Sequence, residues 1–136
     1  MPDITKVDLS RYRFCKAEEM LASARRDMEA KDYASANNRA YYAIFHAMRA
    51  VLALDGEDFK KHSAVIARFT MDYLKPEILP REYSRLISNA SLIRNRSDYE
   101  DFYICSVADT NSVFSGAVSF CKDIGEYLEQ RYRKEQ

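Results

Sequence analysis

Residues 33–54 read YASANNRAYYAIFHAMRAVLAL, and this stretch decides the fold class. Its apolar side chains recur every three or four residues, which is the spacing of one face of an α-helix. Asp55 and Gly56 follow at once and form a suitable helix end. We therefore predict an amphipathic helix over residues 33–54, whose inward stripe consists of Tyr41, Ile44, Phe45, Met48, Val51 and Leu52.

The same periodicity extends on both sides of this helix and predicts further helices over residues 9–30, 62–75, 81–96 and 104–133. The 136 residues include only 3 Gly and 3 Pro, too few for the turns that a chain of strands requires. Repeats, low-complexity tracts and linkers are absent from the sequence. The prediction is one all-α domain over residues 1–136, an up-and-down antiparallel bundle of about five helices.

The last predicted helix carries two apolar stripes. Either it is a central helix that the rest of the chain covers, or its second stripe is a dimer surface. Both interpretations remain open at this point. The first stripe is formed by Phe114, Ala117, Val118, Cys121, Ile124 and Leu128, and the second by Val113, Phe120 and Tyr127.

Composition limits the possible classes of function. Lys plus Arg and Asp plus Glu both number 21, so the net charge is zero and any polyanion site must be local. The chain has no run of 18 apolar residues, and its first residues lack signal-peptide order, so we expect a cytoplasmic protein without membrane contact. Three cysteines without metal spacing and two histidines predict no metal site. Motifs for phosphate loops or redox cofactors are missing, and no cofactor is expected.

Arg94 is the first candidate for chemistry. The period of the fourth helix places this arginine on the inward stripe, and Asp98 follows one turn later. A buried guanidinium needs a partner, because an unpaired buried charge is costly. The residues allow two interpretations, a structural Arg94–Asp98 ion pair and an anion pocket.

A polar ribbon follows the edge of the helix predicted over residues 33–54, which is the second helix of the chain. It consists of Asn38, Tyr42, His46 and Arg49. These side chains are spaced four, four and three residues apart and are predicted to face one groove. If the second and fourth helices are neighbours, Tyr42 and His46 approach Arg94, Asp98 and Tyr99.

The two histidines and the tyrosines near Arg96 have structural and functional interpretations. His46 is either a half-buried structural residue or a catalytic group. His62 stands at a helix start after two lysines, which favours a capping or surface residue. Tyr99 and Tyr103 provide aromatic faces on which unpaired bases can stack.

Two segments resemble the HEPN domain family. Residues 37–52, NNRAYYAIFHAMRAVL, resemble the second helix of HEPN domains, and residues 94–99, RNRSDY, stand where these domains carry a motif arginine. His62 and Phe69 also match a subgroup whose motif ends in Asp-Tyr and lacks the usual histidine. Order and spacing agree across nearly the whole chain.

The resemblance implies a bundle of about five helices that forms a homodimer with its motif arginines near a shared groove. Many HEPN proteins are metal-independent ribonucleases that act as toxins beside a small nucleotidyltransferase antitoxin. In that chemistry the arginine stabilises charge on the phosphate, and a histidine four to six residues later assists attack by the ribose 2′-hydroxyl.

This sequence departs from the family pattern at that histidine. Tyr99 lies five residues after Arg94, and no histidine occurs within six residues. A phenol is a poor general base at neutral pH, which leaves Asp98 or His46 as substitutes. Asp101 stands where the partner enzyme of well-studied pairs modifies a tyrosine, so that feature does not carry over.

We therefore expect a toxin-like or RNA- or nucleotide-binding component of a two-component system, with metal-independent endoribonuclease activity as one outcome. The alternative is a non-catalytic module that binds a partner protein or a nucleotide. A bundle without any ligand, in which internal pairs consume Arg94, is the third hypothesis. The candidates for RNA or nucleotide binding are Arg94, Asn95, Arg96, Asn38 and Tyr42. The candidates for catalysis are Arg94, Asp98, Tyr99 and His46.

Overall fold

The computed structural model describes residues 5–101 and 103–135. These residues form five α-helices and one π-helical turn and contain no strand, which confirms the all-α prediction. Within the same ranges, no helix is long and apolar enough to cross a bilayer. The elements are α1 (Lys6–Glu29), α2 (Tyr33–Leu54), α3 (His62–Phe69), the π-helical turn (Thr70–Leu74), α4 (Tyr83–Tyr99) and α5 (Val107–Lys134).

The helix bounds agree with the prediction for α2 and differ for its neighbours, because capping residues set the real ends. α1 begins at residue 6, not 9: the Asp8 amide donates to the Thr5 hydroxyl (3.0 Å), and the Thr5 amide donates to the Asp8 carboxylate (3.2 Å). α5 begins at residue 107, not 104, because the Ser106 hydroxyl accepts from the Asp109 amide at 3.2 Å. α4 covers residues 83–99, two residues later at its start and three later at its end than predicted.

α2 is the central helix, and its predicted inward stripe is entirely buried. α1 runs antiparallel to it, since the Ser10 hydroxyl at the start of α1 donates to the Ala50 carbonyl near the end of α2 (2.7 Å). α4 is also antiparallel to α2. α5 is parallel to it, because the Asn37 amide donates to the Thr110 hydroxyl (3.0 Å) where both helices begin. α1, α4 and α5 therefore surround α2 on most of its faces.

The second stripe of α5 is covered inside the chain. Phe120 is fully buried, and its ring centroid lies 5.8 Å from that of Phe69 and 5.0 Å from that of Tyr83. Val113 is buried, and Tyr127 packs edge-on against Tyr73, a residue of the π-helical turn. The interpretation of this stripe as a dimer surface is therefore wrong. A homodimer, if it forms, must use another face.

Candidate anion-binding site

Arg94 projects from α4 toward the aromatic face of α2. Its side chain is 17% exposed, and its Nη2 donates to the hydroxyl of Tyr42 at 3.1 Å. The guanidinium carbon lies 5.3 Å and 5.4 Å from the ring centroids of Tyr41 and Tyr42, within cation–π range. Two adjacent tyrosines of α2 thus fix the arginine at the junction of the two helices.

Asp98 lies one turn further along α4 and pairs with the same arginine. Its Oδ2 is 3.3 Å from Arg94 Nε and accepts from Asn38 Nδ2 at 3.4 Å. The contact has the distance of an ion pair, but in residues 5–101 and 103–135 no acceptor is aligned with the buried Nε–H for a hydrogen bond. Nη1 donates to the exposed amide of Asn95 at 3.3 Å. The pair therefore neutralises charge without using the full donor capacity of the guanidinium.

A cleft of about 430 Å³ opens beside Arg94, between the first turn of α3 and helices α2 and α4. None of the described residues that line it carries a carboxylate, whereas two are cations and five others offer polar hydrogen-bonding groups. The lining consists of Tyr41, Lys61, His62, Ser63, Ile66, Ser91, Arg94 and Asn95. Such a surface favours an anion.

A larger cleft, of about 660 Å³, lies between α1 and α5 and has a different character. Three glutamates, Glu18, Glu126 and Glu129, face two cations there, Lys122 and Arg133. The excess of carboxylates opposes binding of a phosphate. This cleft is the larger of the two, but its charge is less suited to an anion than that of the cleft at Arg94.

His62, the first residue of α3, belongs to the Arg94 cleft. Its ring centroid lies 4.1 Å from that of Phe45, and its Nδ1 lies 3.0 Å from the hydroxyl oxygen of Tyr41. Burial, followed by the positive charges of Arg94 and Arg49, lowers the pKa of His62, so the imidazole is neutral at pH 7. The capping role predicted for His62 is wrong, since α3 has no side-chain cap, and the alternative of a surface residue holds only in part, because the ring is half-buried at the cleft.

The hydrogen bond between Tyr41 and His62 has two possible directions. Burial raises the pKa of Tyr41, which therefore keeps its proton at neutral pH. If Tyr41 donates to Nδ1, the imidazole carries its proton on Nε2 and can donate it to an anion. If Nδ1–H donates to Tyr41, Nε2 is free to accept a proton. His62 can thus serve as a donor or as a base.

His46 lies on the other side of Tyr42, at a ring-centroid distance of 6.0 Å. Its Nδ1 is buried and has no hydrogen-bond partner in the described part of the chain. Burial, with the positive charges of Arg49 and Lys16, lowers the pKa of His46 to about 4. The predicted approach of His46 to Arg94 is not seen: among the described residues, neither a hydrogen bond nor a ring contact joins the two.

The depressed pKa of His46 should make the fold sensitive to acid. The unfolded chain binds a proton at His46 near pH 6.5, whereas the folded chain does so only near pH 4. Stability therefore falls as the pH drops through this window. We expect the free energy of unfolding to fall between pH 7 and pH 4.5 in both wild type and His46→Gln, as measured by urea unfolding. This fall should be roughly 2 kcal/mol smaller in His46→Gln, a figure that allows for partial solvent screening.

His62 remains in both proteins and also has a lowered pKa, so its contribution cancels in this comparison. An equal acid loss in wild type and His46→Gln would contradict the assignment of the effect to His46.

The family model for the HEPN domain matches residues 10–131 of this chain. The chain belongs to the HEPN domain family. The match covers all five helices almost completely, in agreement with the resemblance seen in residues 37–52 and 94–99.

Relatives of this HEPN chain occur in archaea and bacteria. A protein of Methanocaldococcus jannaschii named "Putative toxin" is 37% identical over 83 residues, which cover 61% of this chain and 62% of that protein. A second protein of that organism with the same description is 31% identical over 85 residues, 62% of this chain and 58% of its own length. A "UPF0332 protein" of Thermotoga maritima is 32% identical over 118 residues, 87% and 89% of the two chains. The matched segment spans less than two thirds of the two Methanocaldococcus proteins.

The HEPN motif segment, residues 94–99, lies partly inside and partly outside the Arg94 cleft. Asn95 lines the cleft, whereas Tyr99 is 75% exposed at the end of α4. Arg96 points elsewhere, because its Nε pairs with Glu100 at 3.3 Å and its guanidinium lies 5.0 Å from the ring centroid of Tyr103. Of the predicted site residues, Asn38, Tyr42, Arg94, Asn95 and Asp98 are connected by contacts or share the cleft. Arg96 and Tyr99 are outside that group, and among the described residues His46 meets it only through the ring of Tyr42, at a centroid distance of 6.0 Å.

Sequence reasoning missed His62 and Lys61 as members of the site. The only signal was the match of His62 to a HEPN subgroup position, since helix periodicity carries no information about contacts across a loop.

Proposed function

We propose that this chain is a toxin-like HEPN protein that binds RNA through the Arg94 cleft, as one component of a two-component system with a nucleotidyltransferase. The observation that carries the proposal is the cleft itself, where the described lining residues include the cations Lys61 and Arg94 beside neutral donors, and the one carboxylate paired with Arg94, that of Asp98, is not among them. The names of the two Methanocaldococcus relatives support the toxin-like role.

A phosphodiester matches the donors of this cleft. Arg94 presents a planar fork of donors, which matches the oxygens of a phosphate. Asn95 lies at the same opening, while Tyr42 and Asn38 act indirectly, because they hold Arg94 and Asp98. The attraction is local, as the zero net charge requires.

The end of α4 offers a second kind of contact for the same strand. Tyr99 is exposed, and Arg96 and Tyr103 form a cation–π pair beside it. Aromatic and guanidinium planes stack on unpaired bases with little dependence on sequence. These residues are proposed to bind bases that flank the phosphate at Arg94.

Cleavage without a metal is the more demanding part of the proposal. The ribose 2′-oxygen would bond to phosphorus while the bond from phosphorus to the 5′-oxygen breaks, and Arg94 would stabilise the added charge. His62 in its Nδ1–H tautomer would accept the 2′-hydroxyl proton at Nε2, and the departing 5′-oxygen would take a proton from water, which leaves a 2′,3′-cyclic phosphate and a 5′-hydroxyl. We therefore assign the role of base to His62 instead of His46, with Asp98 as a residue that positions Arg94.

A non-catalytic module that binds RNA or nucleotide is the second candidate. The observation in its favour is that no histidine occurs within six residues after Arg94. In addition, the Tyr41 hydroxyl can donate a hydrogen bond to His62 Nδ1. This tautomer leaves Nε2–H as a donor to the anion, and a donor holds a phosphate without accepting the 2′-hydroxyl proton.

A homodimer fits the same surface. A groove of about 430 Å³ between α3 and α4 adjoins the Arg94 cleft and shares Ser63, Ile66, Ser91 and Asn95 with it. Leu92 at its edge is 56% exposed, a large area for an apolar side chain. Association through this groove would place two Arg94 clefts close together.

The test is incubation of a mixed RNA pool with purified protein in EDTA, with RNA binding measured in parallel by fluorescence anisotropy. We expect His62→Gln to lose cleavage by at least about 100-fold while it still binds RNA, because a general base contributes that much to the rate. His46→Gln is the matched control and should cleave like wild type. If wild type binds RNA without cleaving it, the non-catalytic candidate is favoured. If wild type neither binds nor cleaves RNA, the proposal is overturned.

A further inference from the structure

A second cluster of cations lies where α1 meets the far end of α2. Arg13 is 7% exposed, and its Nη2 lies 3.1 Å from Asp58 Oδ2. Arg49 Nη2 lies 3.1 Å from Asp58 Oδ1, so one carboxylate bridges two guanidinium groups. Arg13 Nη1 also donates to the Arg49 carbonyl at 3.3 Å. We call these three residues the Asp58 clamp.

The clamp holds more positive charge than Asp58 neutralises. Burial and then the charge of Arg49 lower the pKa of Arg13, a sign that the two guanidinium groups repel each other. Lys16 and Arg49 act in the same direction on the nearby His46. Arg49 Nε is buried and has no hydrogen-bond acceptor within residues 5–101 and 103–135. The two arginines of the clamp therefore carry more positive charge than the single carboxylate of Asp58 balances.

Asp58 is the replaceable member of the clamp. Its side chain is 56% exposed and belongs to the loop between α2 and α3. Apart from the two arginines, its Oδ1 accepts only from the amide of the next residue, Phe59 (2.9 Å), among the described residues. Arg13, in contrast, projects from a helix and is buried. A carboxylate held by two guanidinium groups has the arrangement that a phosphate oxygen pair would take.

The clamp and the Arg94 cleft lie along one face of α2. Tyr42 contacts Arg94, Arg49 belongs to the clamp, and His46 stands between them at helical spacing. Seven residues separate Tyr42 from Arg49, which corresponds to ~10 Å along the helix axis. Phosphates at the two ends of this ribbon would thus belong to different nucleotides of one strand.

We propose that Arg13 and Arg49 form a second phosphate subsite, which takes a phosphodiester of the same single-stranded RNA when Asp58 withdraws. This inference rests on RNA binding at the Arg94 cleft. It identifies the ligand as an oligonucleotide, since a mononucleotide at Arg94 would leave the clamp closed. Asp58 then acts as an internal competitor that weakens binding of longer strands.

The test compares Asp58→Asn with wild type and with a control variant, Glu57→Gln. Glu57 belongs to the same loop, and its carboxylate pairs with Arg68 at 3.7 Å. Both variants change the net charge equally. Anisotropy with a labelled single-stranded RNA should show about fivefold tighter binding by Asp58→Asn. The dependence of log K on log salt should steepen by about 0.7, the change for one added phosphate contact. Affinity for adenosine monophosphate should stay unchanged in both variants.

Arg49→Gln provides the opposite change and should weaken RNA binding without affecting the mononucleotide. Equal RNA affinity and salt slope in wild type, Asp58→Asn and Glu57→Gln would overturn the second subsite, while binding that depends on Arg94 would keep the proposed function intact. A gain of the same size in Glu57→Gln would assign the effect to net charge and would also overturn it. Failure of wild type and Asp58→Asn to bind either ligand would overturn both proposals.

Discussion

Arg94→Ala is expected to weaken RNA binding by about 10- to 100-fold, because hydrogen bonds to a charged group contribute ~1.5–3 kcal/mol. The substitution removes the only guanidinium that lines the carboxylate-free cleft in the described part of the chain. Fluorescence anisotropy at a fixed salt concentration measures the loss. Arg94→Lys keeps the charge but not the donor fork, and we expect it to recover only part of the affinity.

The matched control is Arg81→Ala. Arg81 pairs with Glu77, four residues away, at 3.4 Å, and in this respect resembles Arg94 with Asp98. The side chain of Arg81, however, is 61% exposed and lies outside the cleft. Circular dichroism separates lost binding from lost folding, since Arg94→Ala also removes the contacts to Tyr41 and Tyr42. Equal affinities of folded Arg94→Ala and Arg81→Ala would rule out the Arg94 cleft as the RNA site.

The half of the site that lies on regular helices could be predicted from the sequence. A period of 3.6 residues fixes which side chains share a face, and antiparallel neighbours pair such faces in reverse order. The contacts Tyr42–Arg94 and Asn38–Asp98 follow from this register. The approach of Tyr42 to Arg94 was predicted on the condition that α2 and α4 be neighbours, whereas the approach of His46 predicted on the same condition is not seen.

The other half depends on a loop whose path has no periodic signal. Gly56 adopts a φ of 74°, a left-handed conformation that favours glycine, and the chain then turns back alongside α2. This return places His62 against Phe45 and Tyr41, and Asp58 between the two arginines of the clamp. Residues that are close only because of the loop could not be grouped from the sequence.

The ambiguity of α5 also had a physical cause. Two adjacent apolar stripes indicate that both faces of α5 are covered, but they do not indicate which elements cover them. The π-helical turn after α3 and the early part of α4 supply the cover. Periodicity predicts helices over both segments, but it carries no information about which stripe of α5 they pack against.

Phe120→Ala should cost ~3–5 kcal/mol of the free energy of unfolding, the largest stability effect that we expect in this chain. Phe120 is fully buried, and its ring meets those of Phe69 and Tyr83 in edge-on contacts. The substitution would leave a cavity between α5, α3 and α4, and it would remove both aromatic pairs. Urea unfolding followed by circular dichroism measures the loss.

Phe114→Ala is the control on the same helix. Phe114 is only half-buried, with the guanidinium of Arg25 5.3 Å from its ring centroid, so its truncation should cost no more than ~2 kcal/mol. A large loss for Phe120 and a small one for Phe114 would mean that α5 is stabilised from the side of α3 and α4 within a single chain. If Phe120→Ala instead changed the oligomeric state and left the unfolding of the monomer unaffected, this stripe would be an interface between chains, contrary to the packing described.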